Sequence, residues 1–362
     1  MRTFWQQKPL LVREAFSAFE DPLTVAEVKR LAARDEAQSR LIMGRGKRWS
    51  LEHGPISATR FKQLPSRDWT VLVQDTNHFS REASELLSCF DFIPHARIDD
   101  VMVSYAMPGG SVGPHVDSYD VFLLQGRGKR RWQISSQNNL DFAPGLPLKI
   151  LQRFEPEQEW VLEAGDMLYL PPGIAHHGVA ETECLTWSIG FRAPSDSEWV
   201  TGFLDYLRES LAPEGHYADP GSAPTKNAGE IPRRLLAHAG KALASIQWDE
   251  ATVRDFAGRF LTEPKAHVYF DTPKRPLTRA HFVAAARRHG IELDSKSRFA
   301  FSGRIFFLNG EAESLPAAAR ATARRLADRR CLGRGADAPP AFWDAAYRWY
   351  LQGFVLPDGG KP

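Results

Sequence analysis

Cysteine is scarce in this sequence of 362 residues, which contains only Cys89, Cys184 and Cys331. Their number is odd and they lie far apart without C-x-x-C spacing, which argues against a disulfide framework and a thiolate zinc site. No apolar run approaches the roughly 18 residues of a membrane span, and MRTFWQQKPLLVREAF has too short an apolar core for a signal peptide. The cytoplasm is therefore the expected location.

An excess of charge is also missing, since 46 basic residues oppose 44 acidic ones. The net charge of +2 gives no reason to expect nucleic-acid binding by the molecule as a whole. With 43% hydrophobic and 25% charged residues, the composition is that of a globular protein with a sizeable core. By length, such a chain is expected to divide into about two or three domains.

Short strand-like runs dominate residues 98–193. Examples are DVMVSYAM, DVFLLQG, RRWQI, DMLYLPP and CLTWSIGF, separated by clusters of Gly, Pro and Asn. Such runs, without helical segments between them, predict an antiparallel sandwich or barrel, with the jelly-roll or cupin class as one option.

Helical patterns follow this region. SEWVTGFLDYLRESL has apolar residues at helical spacing, and a Gly- and Pro-rich connection at 212–232 reads as exposed. RRLLAHAGKALASI and DEATVRDFAGRFL are too short to be stable without a partner surface, which is either the barrel or a second subunit.

The segment from residue 271 onward has the order helix, two strands, helix, helix. It carries 16 basic and 9 acidic residues, a surplus of +7. This pattern suggests a winged-helix shape and a nucleic-acid hypothesis. The alternative is that the arginines of RATARRLADRR form one solvated helix face.

The stretch GPHVDSYD places His115 and Asp117 two residues apart. In a strand such side chains share a face, so both can meet one ion. His176, in GDMLYLPPGIAHHG, lies 59 positions after Asp117, which suits a partner strand across a barrel, whereas His177 would point away. Two histidines and a carboxylate form the facial triad of non-haem Fe(II) oxygenases. A polar turn and a loop histidine bonded to backbone are the alternatives.

The run KRRWQI contains three consecutive basic residues. Strand alternation places Arg130 on the apolar face with Trp132 and Ile134, and Lys129 and Arg131 on the opposite face. An arginine inside a barrel is costly unless an anion meets it, and a guanidinium suits a carboxylate. We therefore expect either a buried carboxylate ligand beside the metal, such as 2-oxoglutarate, or an internal ion pair to Asp or Glu.

Three strand hydroxyls could donate a further hydrogen bond to that carboxylate. They are Ser104 in MVSYAM, and Thr186 and Ser188 in CLTWSIGF. The alternative is that these side chains only fill space in the sheet.

These motifs resemble a known family. HVD, YDVFLLQGRGKRRW and GDMLYLPPGIAHHG are similar to the JmjC-type Fe(II) and 2-oxoglutarate oxygenases, in the bacterial branch that 3-hydroxylates an arginine of ribosomal protein L-sixteen. FWQQKPLLVREAF, LEHGPI, GFRAPS and GRFLTEPK resemble the same branch, so the likeness covers nearly the whole chain.

The resemblance implies an α+β protein with a double-stranded β-helix of the jelly-roll type. It implies a JmjC barrel with N-terminal elements at 1–205, a helical dimerisation region at 206–270 and a winged-helix-like domain at 271–362. It also implies a homodimer.

For the site, the resemblance implies that His115, Asp117 and His176 bind Fe(II) and that Arg130 binds the co-substrate 2-oxoglutarate, with O₂ as oxidant and succinate and CO₂ as products. Ser104 and Thr186 are the weaker co-substrate candidates. Tyr119 and Asp120 are candidates for gripping the guanidinium of the ribosomal protein.

Three other functions stay open. The first is a related oxygenase acting on a histidine of another ribosomal protein or on a small molecule. The second is a non-enzymatic nucleic-acid-binding protein, in which the basic C-terminal segment carries the function. The third is a zinc or nickel cupin, which would not need Arg130.

Overall fold

The structure is a computed structural model that describes residues 2–46, 48–211 and 214–357. Its strands are β1 Leu10–Val12, β2 Ser39–Arg45, β3 Arg48–His53, β4 Trp69–Val73, β5 Ile98–Ala106, β6 His115–Val116, β7 Asp120–Gln125, β8 Arg130–Ser135, β9 Gln158–Leu162, β10 Met167–Leu170, β11 Ala175–Ala180, β12 Cys184–Phe191, β13 Ile291–Leu293, β14 Phe299–Ser302, β15 Ile305–Leu308, β16 Glu311–Glu313, β17 Cys331–Leu332 and β18 Val355–Pro357.

The α-helices are α1 Val25–Ala32, α2 Ala58–Lys62, α3 Arg81–Ser88, α4 Asp196–Ser210, α5 Arg233–Ala244, α6 Glu250–Thr262, α7 Arg279–His289, α8 Ala317–Arg329 and α9 Pro340–Leu351. None of the helices in the described ranges has the length and apolar character needed to cross a bilayer. Of the sequence predictions, part of the connection (212–213) and the end of the C-terminal segment (358–362) lie outside the described residues.

Two antiparallel sheets form the N-terminal half. The larger has the order β1-β10-β7-β12-β5-β4-β2-β3, and the smaller has the order β6-β11-β8-β9. One apolar cluster contains Val121 and Leu123 from the larger sheet and Trp132 and Ile134 from the smaller, so the sheets face each other. The strand-rich pattern at 98–193 thus corresponds to the predicted two-sheet jelly-roll.

Strand β7 is buried on both faces, which explains why DVFLLQ lacks polar alternation. Val121 and Leu123 point between the sheets, whereas Phe122 and Leu124 belong to a second core under the N-terminal elements. The helix α1 packs on that second core, and a capping box between Thr24 and Glu27 begins it. The larger sheet is therefore covered on one face and lines the inter-sheet space with the other.

The C-terminal part contains a separate apolar core. Side chains of α7, α8 and α9 pack there with β13, β14 and β15, and include Phe282, Phe306, Trp343 and Trp349. Strands β14, β15 and β16 form a small antiparallel sheet, and β17, β13 and β18 form another. The predicted order of helix, hairpin and two helices is present. One additional short strand follows each helix, and one follows the hairpin.

In the sequence, helices α4, α5 and α6 lie between these two parts. Helix α6 packs on β14, β15 and β16, and Gly258 abuts the ring of Phe307. Helix α5 has no buried residue, and its Leu236 and Leu243 are exposed. The barrel does not cover α5, so the partner surface predicted for this segment is not supplied by the described part of the same chain.

Candidate metal and co-substrate site

The smaller sheet positions the two histidines of the predicted triad. His115 begins β6, and His176 on the adjacent β11 is its direct cross-strand partner. The predicted partner strand is therefore the direct neighbour of β6, and the long separation in sequence is spanned by β7 to β10 before the chain returns beside β6. Asp117 follows the end of β6, where its carbonyl accepts a hydrogen bond from Gly173 N at 2.9 Å.

The three side chains converge on one point. Asp117 Oδ2 lies 4.0 Å from His115 Nε2 and 3.7 Å from His176 Nε2, and the three potential ligand atoms all lie within 4.8 Å of one another. Two imidazole nitrogens and a carboxylate oxygen on one side of an ion are the donor set of non-haem Fe(II) sites. The residues present therefore fit such a metal.

Backbone carbonyls orient both imidazoles. The Nδ1 atom of His115 lies 3.0 Å from Gly113 O, and Nδ1 of His176 lies 2.9 Å from Ile174 O. With the proton on Nδ1 in each ring, Nε2 presents its lone pair toward Asp117. Burial lowers the pKa of His176 well below its usual value and keeps the ring neutral, as a metal ligand must be. Burial also raises the pKa of Asp117.

Arg130 is the inward basic residue that strand alternation predicted. It is 6% exposed, and its neighbours Trp132 and Ile134 are buried beside it. Arg131 is on the outer face, where it pairs with Glu159 and Glu181.

The guanidinium of Arg130 has no ion pair within the described residues. Its Nε has no hydrogen-bond partner, and one terminal nitrogen, Nη2, lies 3.8 Å from Cys184 Sγ. The predicted alternative of an internal pair to Asp or Glu is thus absent from the described part of the chain. A buried, unpaired guanidinium requires an anion, so this geometry fits a carboxylate ligand.

A cavity of about 470 Å³ joins the triad to Arg130. Its lining includes Ser104 and Ser188 from the larger sheet, and Arg40 from β2. The Nε of Arg40 is buried and also lacks a partner among the described atoms. The space is large enough for a small dicarboxylate together with one substrate side chain.

The three predicted hydroxyls differ in position. Ser104 and Ser188 line the cavity, whereas Thr186 does not. The Thr186 hydroxyl donates to Gln125 Oε1 at 2.9 Å. The geometry therefore favours Ser104 over Thr186 as a co-substrate contact.

Asp120 was predicted as a substrate contact, and the structure contradicts this. Its carboxylate is fully buried and accepts hydrogen bonds from Tyr169, Gln6 and Arg97 at 2.6 to 2.9 Å. It ties the N-terminal segment to the sheet and does not line the cavity. Tyr119, one residue earlier, does line it.

Two cavity residues were missed at the level of sequence, Asp99 and Asp100. They are the second and third residues of β5, where the pair of acids before VMVSYAM looks like the polar start of a strand. Burial raises the pKa of Asp100 to about 7, with Asp99 and Asp75 adding to the effect. No motif distinguishes such a pair from surface acids, because its position depends on long-range packing.

Two protein families match the chain in separate segments. The JmjC domain matches residues 85–199, and the ROXA-like winged helix matches residues 245–355. The ribosomal protein uL16 3-hydroxylase of Escherichia coli K12 is 32% identical over 273 residues, which is 75% of this chain and 73% of that protein.

This chain belongs to the JmjC ribosomal oxygenases. The oxygenase also resembles the X-ray structure of E. coli YcfD, with a TM-score of 0.85 and 28% identity over 98% of this chain and 96% of that one. A second structure, of YcfD with cobalt and 2-oxoglutarate, gives a TM-score of 0.83 at the same identity and coverage.

The comparisons confirm the predicted fold class, a JmjC jelly-roll followed by a winged helix. They also confirm the predicted enzyme class and cofactors, an Fe(II) and 2-oxoglutarate-dependent oxygenase, and so exclude a purely nucleic-acid-binding protein.

Proposed function

We propose that this oxygenase 3-hydroxylates an arginine of ribosomal protein uL16. The proposal is supported by the name of its E. coli relative and by one observation: the triad of two histidines and an aspartate shares a cavity with a buried, unpaired arginine and two further aspartates. The carboxylates of those two aspartates would recognise the cationic side chain of the substrate.

His115, Asp117 and His176 would hold the iron, and Arg130 would bind the distal carboxylate of 2-oxoglutarate, with Ser104 beside it. When bound, these groups supply oxidising chemistry in which O₂ converts a substrate C–H bond to C–OH and 2-oxoglutarate to succinate and CO₂. The protein's own part is positioning and the exclusion of water. Trp132 is 4% exposed, and its ring lies beside both Arg130 and His176. It helps to exclude water from this part of the cavity.

Asp99, Asp100 and Tyr119 are the candidates for the substrate guanidinium. All three line the cavity, and Asp100 is only 7% exposed. A carboxylate that is costly to ionise alone is stabilised by an incoming guanidinium, so the interaction would be strong and selective for a cation.

The test is anaerobic reconstitution with Fe(II), followed by O₂, 2-oxoglutarate and a uL16 peptide. We expect succinate and a product heavier by one oxygen atom, assigned to the arginine by tandem mass spectrometry and to its β-carbon by NMR. Succinate production without peptide modification would reject the substrate.

Two adjacent histidines provide a matched control. His176→Ala should lose iron binding and turnover, whereas His177→Ala should retain both, because the His177 ring is in edge contact with Phe154 on the other face of β11. Equal losses in the two variants would argue against the ligand assignment.

A histidine of another ribosomal protein is the second candidate target. A Dictyostelium discoideum protein whose name includes histidyl-hydroxylase is 33% identical over 103 residues, although these are only 26% of this chain and 20% of that protein. Mass spectrometry of ribosomes from cells with and without the gene distinguishes the two targets. The residue that carries an additional oxygen only in cells with the gene is the target.

We also propose a cytoplasmic homodimer, with domains at 1–205, 206–270 and 271–362. A ribosomal substrate supports the location. The exposed apolar side chains of α4 and α5, among them Leu204, Leu236 and Leu243, support the dimer.

A further inference from the structure

Three aspartates surround one lysine beside the catalytic cavity. The Nζ atom of Lys265 lies 2.9 Å from Asp75 Oδ1, 3.2 Å from Asp99 Oδ1 and 3.8 Å from Asp100 Oδ2. The backbone N–H of Asp75 donates to Asp100 Oδ2 at 3.1 Å. Lys265 therefore reaches Asp100 both directly and through Asp75.

The lysine and the aspartates come from different parts of the fold. Asp75 follows β4 and Asp99 and Asp100 are the second and third residues of β5, all in the barrel, whereas Lys265 lies in the segment between α6 and α7. His267 of the same segment binds Asp75 Oδ2 at 3.1 Å. The segment that leads into the winged-helix part is thus anchored behind the acidic wall of the cavity.

The charge of Lys265 stabilises the three aspartates, and Arg298, 3.9 Å from Asp99 Oδ1, is a further cation beside them. Burial opposes a charge on Lys265, but the three carboxylates outweigh it and raise its pKa. Burial also opposes a charge on Asp75, and Lys265 and His78 outweigh it and lower its pKa. Without the ammonium, three carboxylates would repel one another in a site shielded from water.

We propose that Lys265 is a positioning residue for substrate binding, which fixes Asp99 and Asp100 as the acidic wall of the cavity. The inference rests on the proposed function, because the wall is the part of the site that would meet the substrate guanidinium. Lys265 belongs to the segment between α6 and α7, outside the barrel, so this segment would influence substrate binding through one side chain that does not contact the substrate.

Two other roles for Lys265 predict different effects of its removal. If Lys265 only occupied carboxylates that the substrate needs, its removal would free them and tighten substrate binding. If it only fastened the segment to the barrel, its removal would lower stability and affect all kinetic parameters together.

The test compares Lys265→Met, Lys265→Arg and the control Lys296→Met. Lys296 is comparably buried, but it donates to Tyr269 O and pairs with Asp271 instead of the three aspartates. We expect Lys265→Met to raise KM for the uL16 peptide about tenfold, with KM for 2-oxoglutarate unchanged. Lys265→Arg should restore part of the loss, and Lys296→Met should leave the peptide KM unchanged.

A double-mutant cycle tests whether Lys265 acts on substrate binding through the Asp100 carboxylate. In an Asp100→Asn background, Lys265→Met should change the peptide KM less than it does in the wild type, because the lysine acts through that carboxylate. Fully additive effects, a lower peptide KM in Lys265→Met, or an equal rise in Lys296→Met would each overturn the proposal.

A crystal structure of Lys265→Met separates this inference from the substrate assignment. If the wild type consumes 2-oxoglutarate but leaves the peptide unmodified, the proposed substrate fails. The structure of the variant then decides about Lys265: displaced Asp99 and Asp100 carboxylates support the positioning role, and carboxylates in unchanged positions overturn it.

Discussion

Two consecutive arginines on β8 have different environments, which gives a residue-scale prediction. Arg130 is buried without an anion, whereas Arg131 is paired with Glu159 and Glu181 in contact with solvent. Loss of a desolvated anion receptor costs about 3 kcal/mol, so Arg130→Met should raise KM for 2-oxoglutarate about a hundredfold.

Arg131→Met is the control and should change that KM by no more than about twofold, because exposed ion pairs contribute little. Steady-state kinetics at saturating peptide measure both. Comparable effects in the two variants would contradict the assignment of Arg130.

A second residue-scale prediction concerns His78, whose pKa burial lowers to about 4. Nearby Asp75 raises this pKa, whereas Lys265, Arg298 and Lys296 lower it further. The unfolded chain binds a proton at about pH 6.5 but the folded chain does not, so stability falls as pH decreases from about 6.5 to about 4. The contribution is at most about 1.4 kcal/mol per pH unit.

Urea denaturation at about pH 7, pH 6 and pH 5 should therefore give a smaller loss of unfolding free energy for His78→Gln than for the wild type. The exposed His238→Gln variant should follow the wild type. Identical pH dependence in all three proteins would show that His78 is not the group responsible.

Strand alternation was sufficient to predict Arg130, because the side-chain period is fixed by local geometry. The Asp120 prediction rested on its place just after the HVD motif, and that motif does not show that Gln6, Arg97 and Tyr169 meet the carboxylate. Asp100 was also missed, since its position beside the cavity depends on how β4 and β5 meet. Local patterns predict which way a side chain points, and long-range packing decides what it meets.

At the scale of elements, the packing of α6 on the small sheet determines how Gly258→Ala should change the stability of the protein. Helix propensity alone would predict a gain. Alanine usually stabilises a helix interior over glycine by about 1 kcal/mol. A Cβ at Gly258, however, would overlap the ring of Phe307, and overpacking costs about 1–3 kcal/mol. Gly258→Ala should therefore destabilise the protein.

Thermal and chemical denaturation measure this effect, and Gly258→Ala combined with Phe307→Leu should regain part of the stability. An increase in stability for the single variant would mean that α6 packs less closely than described. The sequence pattern predicts the helix here, but it does not predict the neighbour that makes the glycine necessary.

Element types were predictable where periodicity was strong. The runs between 98 and 193 and the three helices α7, α8 and α9 follow directly from period and turn residues. The pairing of β6 with β11 was not predictable, because a two-residue strand carries no periodic signal. That short pairing nevertheless places His115 beside His176.

At the scale of the whole molecule, the basic surplus of the C-terminal part is not one free patch. Arg320 donates to Leu315 O, Arg325 to Asp337 O, and the half-buried Arg330 to carbonyls of 294, 295 and 297. Arg324 lies over the ring of Phe301. These contacts favour a structural role for these four arginines, three of which lie in α8 and one directly after it.

Helices α4 and α5 each carry exposed leucines. Leu204 of α4 is 61% exposed, and Leu236 and Leu243 of α5 are 56% and 68% exposed, which leaves large apolar side chains without cover in the monomer. In the proposed homodimer the same helices of a second chain cover them, as expected for a two-fold interface. Each leucine would then contribute about 1.5–3 kcal/mol when it is buried.

Leu243→Arg should therefore convert the protein from dimer to monomer at micromolar concentration, since a two-fold contact brings the introduced charge close to its own copy. Sedimentation velocity measures the state. Tyr269→Arg is the control, because Tyr269 is 80% exposed but lies outside these helices, and it should remain dimeric. A wild type that stays monomeric at tens of micromolar would refute the dimer, and the exposed leucines would then need a different partner.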